Sequence, residues 1–217
     1  MAISKFNYNS FNVTPVAGKA LSFNSDADGF STASASSMVL IKTLTASSSS
    51  TLSFVHGSSD VVLDNTYPVY VFKFINIHPS SDAVKGKFNF STDGTNFNVT
   101  KTTTGFYAGH TEADATGFGF DSALAQSTSD GFLSGGTVGN ANDESLAGSF
   151  FLFAPSSTTY VKHYISDCNI YGSNPQSQRF FSAGYGNTTS AIVGVRFNFE
   201  SGNIDSGTIK LYGIKDS

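Results

Sequence analysis

The sequence predicts an all-β protein: a two-sheet β-sandwich, jelly-roll-like, with about nine or ten strands and an extended N-terminal arm. The pattern Phe-x-Phe occurs five times, and residues i and i+2 of a strand point to the same face, so each pair places two rings together. In three pairs the intervening residue is polar, which is typical of a sheet with one wet face. Only 13% of the residues are charged, and 21 glycines suit short strands joined by uncharged loops. The pairs are Phe72/Phe74, Phe88/Phe90, Phe118/Phe120, Phe151/Phe153 and Phe197/Phe199.

Residues 1–37 are predicted to form the extended arm, and residues 38–217 the sandwich domain. The arm is poor in charge and rich in Ser, Asn and Ala, and Phe6, Tyr8 and Phe11 are scattered along it. We expect one short strand in it at most. Two interpretations stay open, a free terminus and an arm that lies on a neighbouring subunit, because a terminus is ordered only where something holds it.

The sandwich domain begins with strands predicted over residues 38–45 and 51–55. The strongest strand signal follows at residues 70–77, where the Phe72/Phe74 face alternates with Val71, Lys73 and Ile75. Apolar residues on both faces predict a central strand. Beyond Phe74, either Asn76 continues the same face or a bulge interrupts the alternation.

Residues 85–91 and 97–102 are predicted to pair as a hairpin, because Asp93-Gly94 between them suits a turn with positive φ. Residues 105–148 carry the weakest signal, with few apolar anchors, and a short helix at residues 122–126 fits the sequence. A segment this long predicts one or two short strands and an exposed excursion. It is the first candidate for a binding surface.

The remaining strands are predicted over residues 149–154, 159–165, 180–184, 191–200 and 207–214. Residues 191–200 alternate most cleanly, with Val195, Phe197 and Phe199 on one face and Arg196 and Asn198 on the other. The last predicted strand ends close to residue 217, so the C-terminal segment is expected to belong to a sheet.

Composition excludes several classes of function. The net charge is −4 and no run of Lys and Arg occurs, so a nucleic-acid footprint is not supported. No apolar stretch approaches ~20 residues, so no membrane span is expected. Residues 1–10 lack the apolar core of a secretory signal. The single Cys168 cannot form an intrachain disulfide and suits synthesis in a reducing cytoplasm.

The densest polar cluster is His110, Glu112 and Asp114, which would share one side of an extended segment and could hold a divalent metal. A solvated loop edge is the favoured interpretation. Asp93 lies in a sequence faintly like a calcium-binding loop, as do Asp26 and Asp28. The further acidic ligands that a calcium site needs are missing, so all three are interpreted as turn residues. The sequence therefore predicts no catalytic, cofactor-binding or metal-binding residue, no cofactor and no enzymatic activity.

Two further types of site, a carboxylate pair and a sugar-stacking tyrosine, have structural roles as their alternatives. A pair of carboxylates could make a glycosidase, but no geometry singles out two of the four loop acids. Those acids are Asp130, Asp143, Glu144 and Asp167. Loop tyrosines could stack on sugars, although Trp is absent, and ring packing is the favoured interpretation. The tyrosines are Tyr107, Tyr160, Tyr171 and Tyr185.

Three segments of the sandwich domain carry a resemblance to a known family. Residues 72–79 read FKFINIHP, residues 90–94 read FSTDG, and residues 206–215 read SGTIKLYGIK. They resemble virion proteins of tailed bacteriophages of the marine and cyanobacterial type. In those proteins a Y-x-x-Y-x-F-x-F-x-N-I-x-P strand precedes an F-S-T-D-G-G hairpin, and a G-x-I-x-L-Y-G-I strand lies at the C-terminus. Thr95 stands where the pattern has its second glycine. The resemblance covers residues 38–217 and is strongest at both ends.

The resemblance implies a non-enzymatic virion protein on the particle exterior, either a capsid decoration, knob or cement protein or a fibre or tail accessory subunit. Its implied partners are copies of itself, in a homotrimer by analogy with other jelly rolls, and virion proteins such as the major capsid or tail proteins. Neither nucleic acid nor membrane is expected as a partner. Assembly would take place in the host bacterial cytoplasm, and the protein would end in the virion. A carbohydrate-binding receptor-recognition module of a tail fibre is the alternative, with residues 105–148 supplying the contacts, and a polysaccharide depolymerase is a third hypothesis.

Overall fold

The structure, a computed structural model, describes residues 13–14, 16, 20–24, 26, 28–33, 37–121, 126–127 and 130–216. Within these residues the chain forms fifteen strands and no helix, which confirms the predicted all-β fold. It follows that no helix of the described part is long and apolar enough to cross a membrane. The strands are β1 (Ala20–Phe23), β2 (Phe30–Ala33), β3 (Met38–Thr45), β4 (Leu52–Val55), β5 (Val69–Pro79), β6 (Gly86–Ser91), β7 (Lys101–Thr111), β8 (Thr116–Phe120), β9 (Gln126–Ser127), β10 (Gly131–Phe132), β11 (Leu146–Phe153), β12 (Lys162–Tyr171), β13 (Gln176–Gly186), β14 (Gly194–Phe199) and β15 (Ile204–Ile214).

Two sheets of unequal size make the sandwich. The large sheet has nine strands in the order β3-β15-β5-β11-β12-β13-β7-β8, with β9 also paired to β7, and the small sheet has the order β10-β6-β14-β4. All the strand pairs are antiparallel. Strand β5 lies between β15 and β11, so the prediction of a central strand is confirmed.

The core is a layer of aromatic rings between the sheets. The large sheet contributes Phe72, Phe150 and Tyr164, and all three side chains are buried. Phe88 of the small sheet lies 4.7 Å from Phe150 between ring centroids, and Phe197 lies 5.1 Å from Phe72. Tilted and edge-to-face arrangements of this kind add to the free energy gained by removing the rings from water. Three of the five Phe-x-Phe pairs face this core, as expected: Phe72/Phe74, Phe88/Phe90 and Phe197/Phe199.

A bulge interrupts the central strand β5, which is one of the two alternatives that the sequence predicted. Asn76 has a φ of 49°, and Gly207 on the neighbouring strand has a φ of 110°. The pairing of β5 with β15 shifts register between Ser206 and Thr208. The extra residue brings both Phe74 and Ile77 into the core, although they are three positions apart.

The predicted hairpin of residues 85–91 and 97–102 is wrong. Strand β6 pairs on one side with β10 and on the other with β14, so both of its edges are occupied. The chain after the turn therefore crosses to the large sheet, where β7 begins at Lys101.

The interpretation of Asp93 as a turn residue is confirmed, because its Oδ1 accepts hydrogen bonds from the backbone N–H groups of Thr95 (2.8 Å) and Asn96 (2.7 Å). These bonds, together with the Asn96 side-chain amide, hold the pKa of Asp93 well below its usual range.

The number of strands exceeds the nine or ten predicted. Four of the additional strands, β1, β2, β9 and β10, are two to four residues long and lie in Ser- and Gly-rich segments, where apolar alternation gives no signal. Of the helix predicted for residues 122–126, residues 122–125 lie outside the described residues, and Gln126 belongs to β9. The predicted arm contains two short strands and not the one expected: β1 and β2 pair with each other, and the Phe23 and Phe30 rings stack at 5.1 Å. The boundary between residues 37 and 38 stays a prediction.

Candidate functional site: an exposed aromatic patch

Four phenylalanine rings form a continuous cluster on the outer face of the large sheet. Phe106 lies 5.8 Å from Phe118 and 5.5 Å from Phe181 between ring centroids, and Phe118 lies 5.8 Å from Phe120. Phe118 is 65% exposed and Phe120 is 73% exposed. We call these four residues the aromatic patch. Its two most exposed members are a Phe-x-Phe pair that does not contribute to the core.

Strand register builds the patch. Phe106 of β7 lies directly opposite Phe120 of β8 and Phe181 of β13, so the three rings share one face of the sheet. Gly117 and Gly119 alternate with the two rings of β8. A Cβ added at Gly119 would lie 2.8–2.9 Å from the Tyr107 ring, so the absence of a side chain there lets β8 rest on that ring. In the Gly-Phe-Gly-Phe sequence of β8, Gly119 therefore packs against Tyr107, and the Phe118 and Phe120 rings are exposed to solvent.

The patch has the anatomy of an interaction surface. Burying one Phe side chain completely is worth about 1.5–3 kcal/mol, and this gain is largely unused at Phe118 and Phe120. Next to Phe181, Asp167 pairs with Arg179, whose Nε lies 2.7 Å from a carboxylate oxygen, so a charged pair borders the rings. The guanidinium holds the pKa of Asp167 below its usual range. An apolar centre with a charged margin is typical of protein interfaces.

The strand that carries the patch lies at a sheet edge. Among the described residues, β8 is the end of the strand order in the large sheet. An edge strand presents backbone donors and acceptors that a further strand can pair with, and the patch lies beside them. Apolar contacts and strand pairing can therefore act together at this end of the sandwich.

The structure divides the predicted polar cluster rather than gathering it. His110 Nε2 lies 3.0 Å from Asp114 Oδ1 across the β7–β8 turn, and Glu112 Oε1 accepts a hydrogen bond from the Tyr171 hydroxyl at 3.2 Å. The segment is a turn and not an extended strand, since Asp114 has a φ of 62°. Within the described residues no three His, Cys, Asp or Glu side chains are grouped as metal ligands.

A shallow groove adjoins this turn. It has a volume of about 380 Å³ and is lined by the end of β7, the end of β12 and the start of β13. Tyr171 forms its aromatic part, and Glu112, Asn169 and Gln176 contribute polar groups. Partial desolvation and the Glu112 carboxylate raise the pKa of the Tyr171 hydroxyl. The groove therefore offers one ring with hydrogen-bonding groups beside it.

Three of the four acids considered as a glycosidase pair have separate structural partners. Asp130 pairs with Arg196 at 3.0 Å, and Glu144 accepts a hydrogen bond of 2.6 Å from the backbone N–H of Ala141. With Asp167 committed to its arginine, each of these three carboxylates anchors a local contact. Cys168 is buried, and burial raises the pKa of its thiol to about 12, so it has the character of a core residue.

Sequence reasoning found half of the patch. Phe118/Phe120 is one of the Phe-x-Phe pairs, and it lies within residues 105–148, the predicted binding surface. The sequence gives no sign that Phe106 and Phe181 lie next to this pair. The useful signal was the glycine on each side of Phe118, because a strand that alternates Gly with Phe has no second apolar face to bury. Comparison with known proteins found no family model, no curated protein and no solved structure that matches this chain.

Proposed function

We propose that the chain is a non-enzymatic structural protein on the exterior of a tailed-bacteriophage particle. It would serve as a capsid decoration, knob or cement subunit or as a fibre or tail accessory subunit. The observation that carries this proposal is the aromatic patch at a sheet edge, which supplies the apolar contacts an assembly subunit needs. The phage assignment itself rests on the sequence resemblance of residues 72–79, 90–94 and 206–215.

Copies of the chain are the first proposed partners, arranged as a homotrimer, with the major capsid or tail proteins as further partners. In a closed ring each subunit uses two different patches, so the aromatic patch would contact another part of its neighbour. The low content of charged residues supports this arrangement, because subunits packed together have little like charge to repel. Assembly would occur in the host bacterial cytoplasm and end in the virion.

Composition of purified particles tests the proposal. We expect the chain to remain with phage particles through density-gradient banding and a high-salt wash, at a fixed ratio to the major capsid protein. A phage that encodes Phe118→Ser and Phe120→Ser should lose most of the subunit from its particles. Recovery of the wild-type chain only as a free monomer in lysates would overturn the proposal.

A carbohydrate-binding tail-fibre module is the second candidate, and the groove beside Tyr171 favours it. A ring, amide groups and a carboxylate are the groups with which proteins bind sugars, and the volume of about 380 Å³ accommodates a sugar residue. Binding to a glycan array that is lost in Tyr171→Ala and kept in Tyr160→Ala would support this candidate. An array on which the wild-type oligomer binds nothing would argue against it.

A further inference from the structure

A buried lysine and a buried asparagine meet where the two sheets are joined. Lys101 begins β7 of the large sheet, and Asn89 lies in the middle of β6 of the small sheet. Both residues are 1% exposed. Lys101 Nζ lies 2.7 Å from Asn89 Oδ1, and Asp130 Oδ1 lies 2.9 Å from Asn89 Nδ2. One amide is thus held between an amine and a carboxylate inside the protein.

The hydrogen bonds fix the orientation of the Asn89 amide. Its oxygen accepts from the backbone N–H of Phe90 at 2.8 Å as well as from Lys101, and its nitrogen donates to Asp130. Exchanging oxygen and nitrogen would set donors against donors, so only this orientation satisfies all three contacts. Since a C=O bond is about 1.23 Å long, Lys101 Nζ lies within about 3.9 Å of the amide carbon. This separation is close to the contact distance from which bond formation starts.

We propose that Lys101 and Asn89 form an intramolecular isopeptide bond, with Asp130 as the proton-transfer group. The neutral amine of Lys101 attacks Cγ of Asn89, and the new Nζ–Cγ bond replaces the Cγ–Nδ2 bond. Formation of the bond places Nζ and Nδ2 on the same carbon, beside the carboxylate that already contacts Nδ2. Asp130 then takes a proton from Nζ and delivers it to the departing Nδ2, which leaves as ammonia. One amine and one primary amide become one secondary amide and one ammonia, so the atoms balance and no oxidant or cofactor is needed.

Each requirement of the reaction has a residue that meets it. Burial is the main cause that lowers the pKa of Lys101, to about 8, so roughly a tenth of the amine is neutral at pH 7. The backbone N–H of Phe90 points at the oxygen on which negative charge develops, as the donors of an oxyanion hole do. Asp130 stands at the leaving nitrogen, the place for a general acid and base.

Arg196 keeps the carboxylate in place. Its Nη2 lies 3.0 Å from the same Asp130 oxygen that faces Asn89, and its guanidinium carbon lies 5.1 Å above the Phe97 ring. The second oxygen of Asp130, Oδ2, accepts a hydrogen bond of 3.4 Å from Asn198 Nδ2. These contacts hold the acid against the amide. The reactive groups are therefore positioned before any bond forms, which is the main source of rate in an intramolecular reaction.

A second buried lysine provides the contrast. Lys162 is also fully buried, but its Nζ donates to the backbone carbonyls of Tyr160 (2.8 Å), Thr188 (3.4 Å) and Thr189 (3.0 Å). Lys101 Nζ also donates to one main-chain carbonyl, that of Val99 at 2.8 Å, but it contacts the Asn89 amide as well. The main-chain carbonyls around Lys162 suit an ammonium group and offer no leaving group to a neutral amine. We therefore expect Lys162 to stay unmodified, and it serves as the matched control.

The bond would join the two layers of the sandwich covalently. The residues lie on opposite sheets and twelve positions apart, so the link closes the loop that contains the Asp93 turn. It needs no second copy of the chain, so its test is independent of the assembly proposed above. A cross-link of this kind keeps the sheets together after non-covalent contacts fail.

The intact mass of the purified, folded full-length chain tests the bond. We expect the denatured wild-type chain to weigh about 17 Da less than its formula, the mass of one ammonia. Trypsin should fail to cleave after Lys101, because an acylated lysine is not a substrate, and fragment ions should connect residues 89 and 101. A wild-type chain of full formula mass that is cleaved normally after Lys101 would overturn the proposal.

Variants assign the mass loss to these residues. Lys101→Arg and Asn89→Ala should show their full formula masses, whereas Lys162→Arg should keep the deficit. In newly synthesised chains, Asp130→Asn should develop the deficit at least tenfold more slowly than the wild type, since proton transfer typically contributes 10²–10⁴-fold. A deficit that persists in Lys101→Arg would place the loss of ammonia elsewhere and contradict the bond. The fragment ions of the wild-type chain decide the question even if a variant does not fold.

Discussion

Phe150→Ala is expected to lower the free energy of unfolding by about 3–5 kcal/mol, because it removes a ring from the centre of the core. Phe150 is fully buried and lies 4.7 Å from Phe88 and 5.4 Å from Tyr164 between centroids. These rings belong to both sheets, so the cavity opens where the sheets meet and cannot collapse without moving one of them. Denaturant unfolding followed by circular dichroism measures the loss.

Phe118→Ala is the matched control, since it makes the same chemical change at a ring that is 65% exposed. We expect its effect on the monomer to stay below about 1 kcal/mol, as for most surface substitutions. Equal losses at both positions would mean that Phe150 does not lie between two packed sheets.

Gly207→Ala is the second large effect, with an expected loss of unfolding free energy of about 2–6 kcal/mol. Gly207 has a φ of 110°, and a residue with a side chain there is strained by about 1–3 kcal/mol. The added Cβ would also meet the backbone of Asn76 and Ile77, with Ile77 Cα at 2.8 Å, and such overpacking costs about 1–3 kcal/mol more. Thermal and denaturant unfolding of the two chains measure the sum.

Gly57→Ala separates the two contributions. Gly57 has a φ of 76°, but nothing lies within 4 Å of an added Cβ, so only the backbone strain of about 1–2 kcal/mol is expected. If Gly207→Ala lowers the free energy of unfolding no more than Gly57→Ala does, then β15 does not approach the bulge in β5 as closely as described.

The sequence predicted the faces of the long strands because their side chains alternate with burial. In β14, Val195, Phe197 and Phe199 face the core as expected, and Ile209 and Leu211 do the same in β15. Local alternation records which side a residue faces. It does not record which strand lies beside it, and so the partner of β6 was predicted wrongly.

The aromatic patch and the lysine–asparagine contact depend on pairing between distant segments. Phe106 and Phe181 are 75 positions apart and meet only because β7 pairs with β13. Lys101 reads in sequence as an ordinary strand-end lysine, but in the structure it is buried and contacts Asn89 of the opposite sheet. The sequence pattern of β8 indicates only half of the patch, and the lysine–asparagine contact has no sequence pattern, so both features required the structure.

Sedimentation velocity of the purified chain tests the central claim, that the aromatic patch is an assembly surface. Phe118→Ser with Phe120→Ser removes the two most exposed rings of the patch, and Thr116→Ser on the same strand is the control. We expect the wild-type chain and the control to sediment as an oligomer of three chains at micromolar concentration, and the double variant as a folded monomer. A wild-type chain that stays monomeric, or a double variant that sediments like the wild type, would contradict the claim.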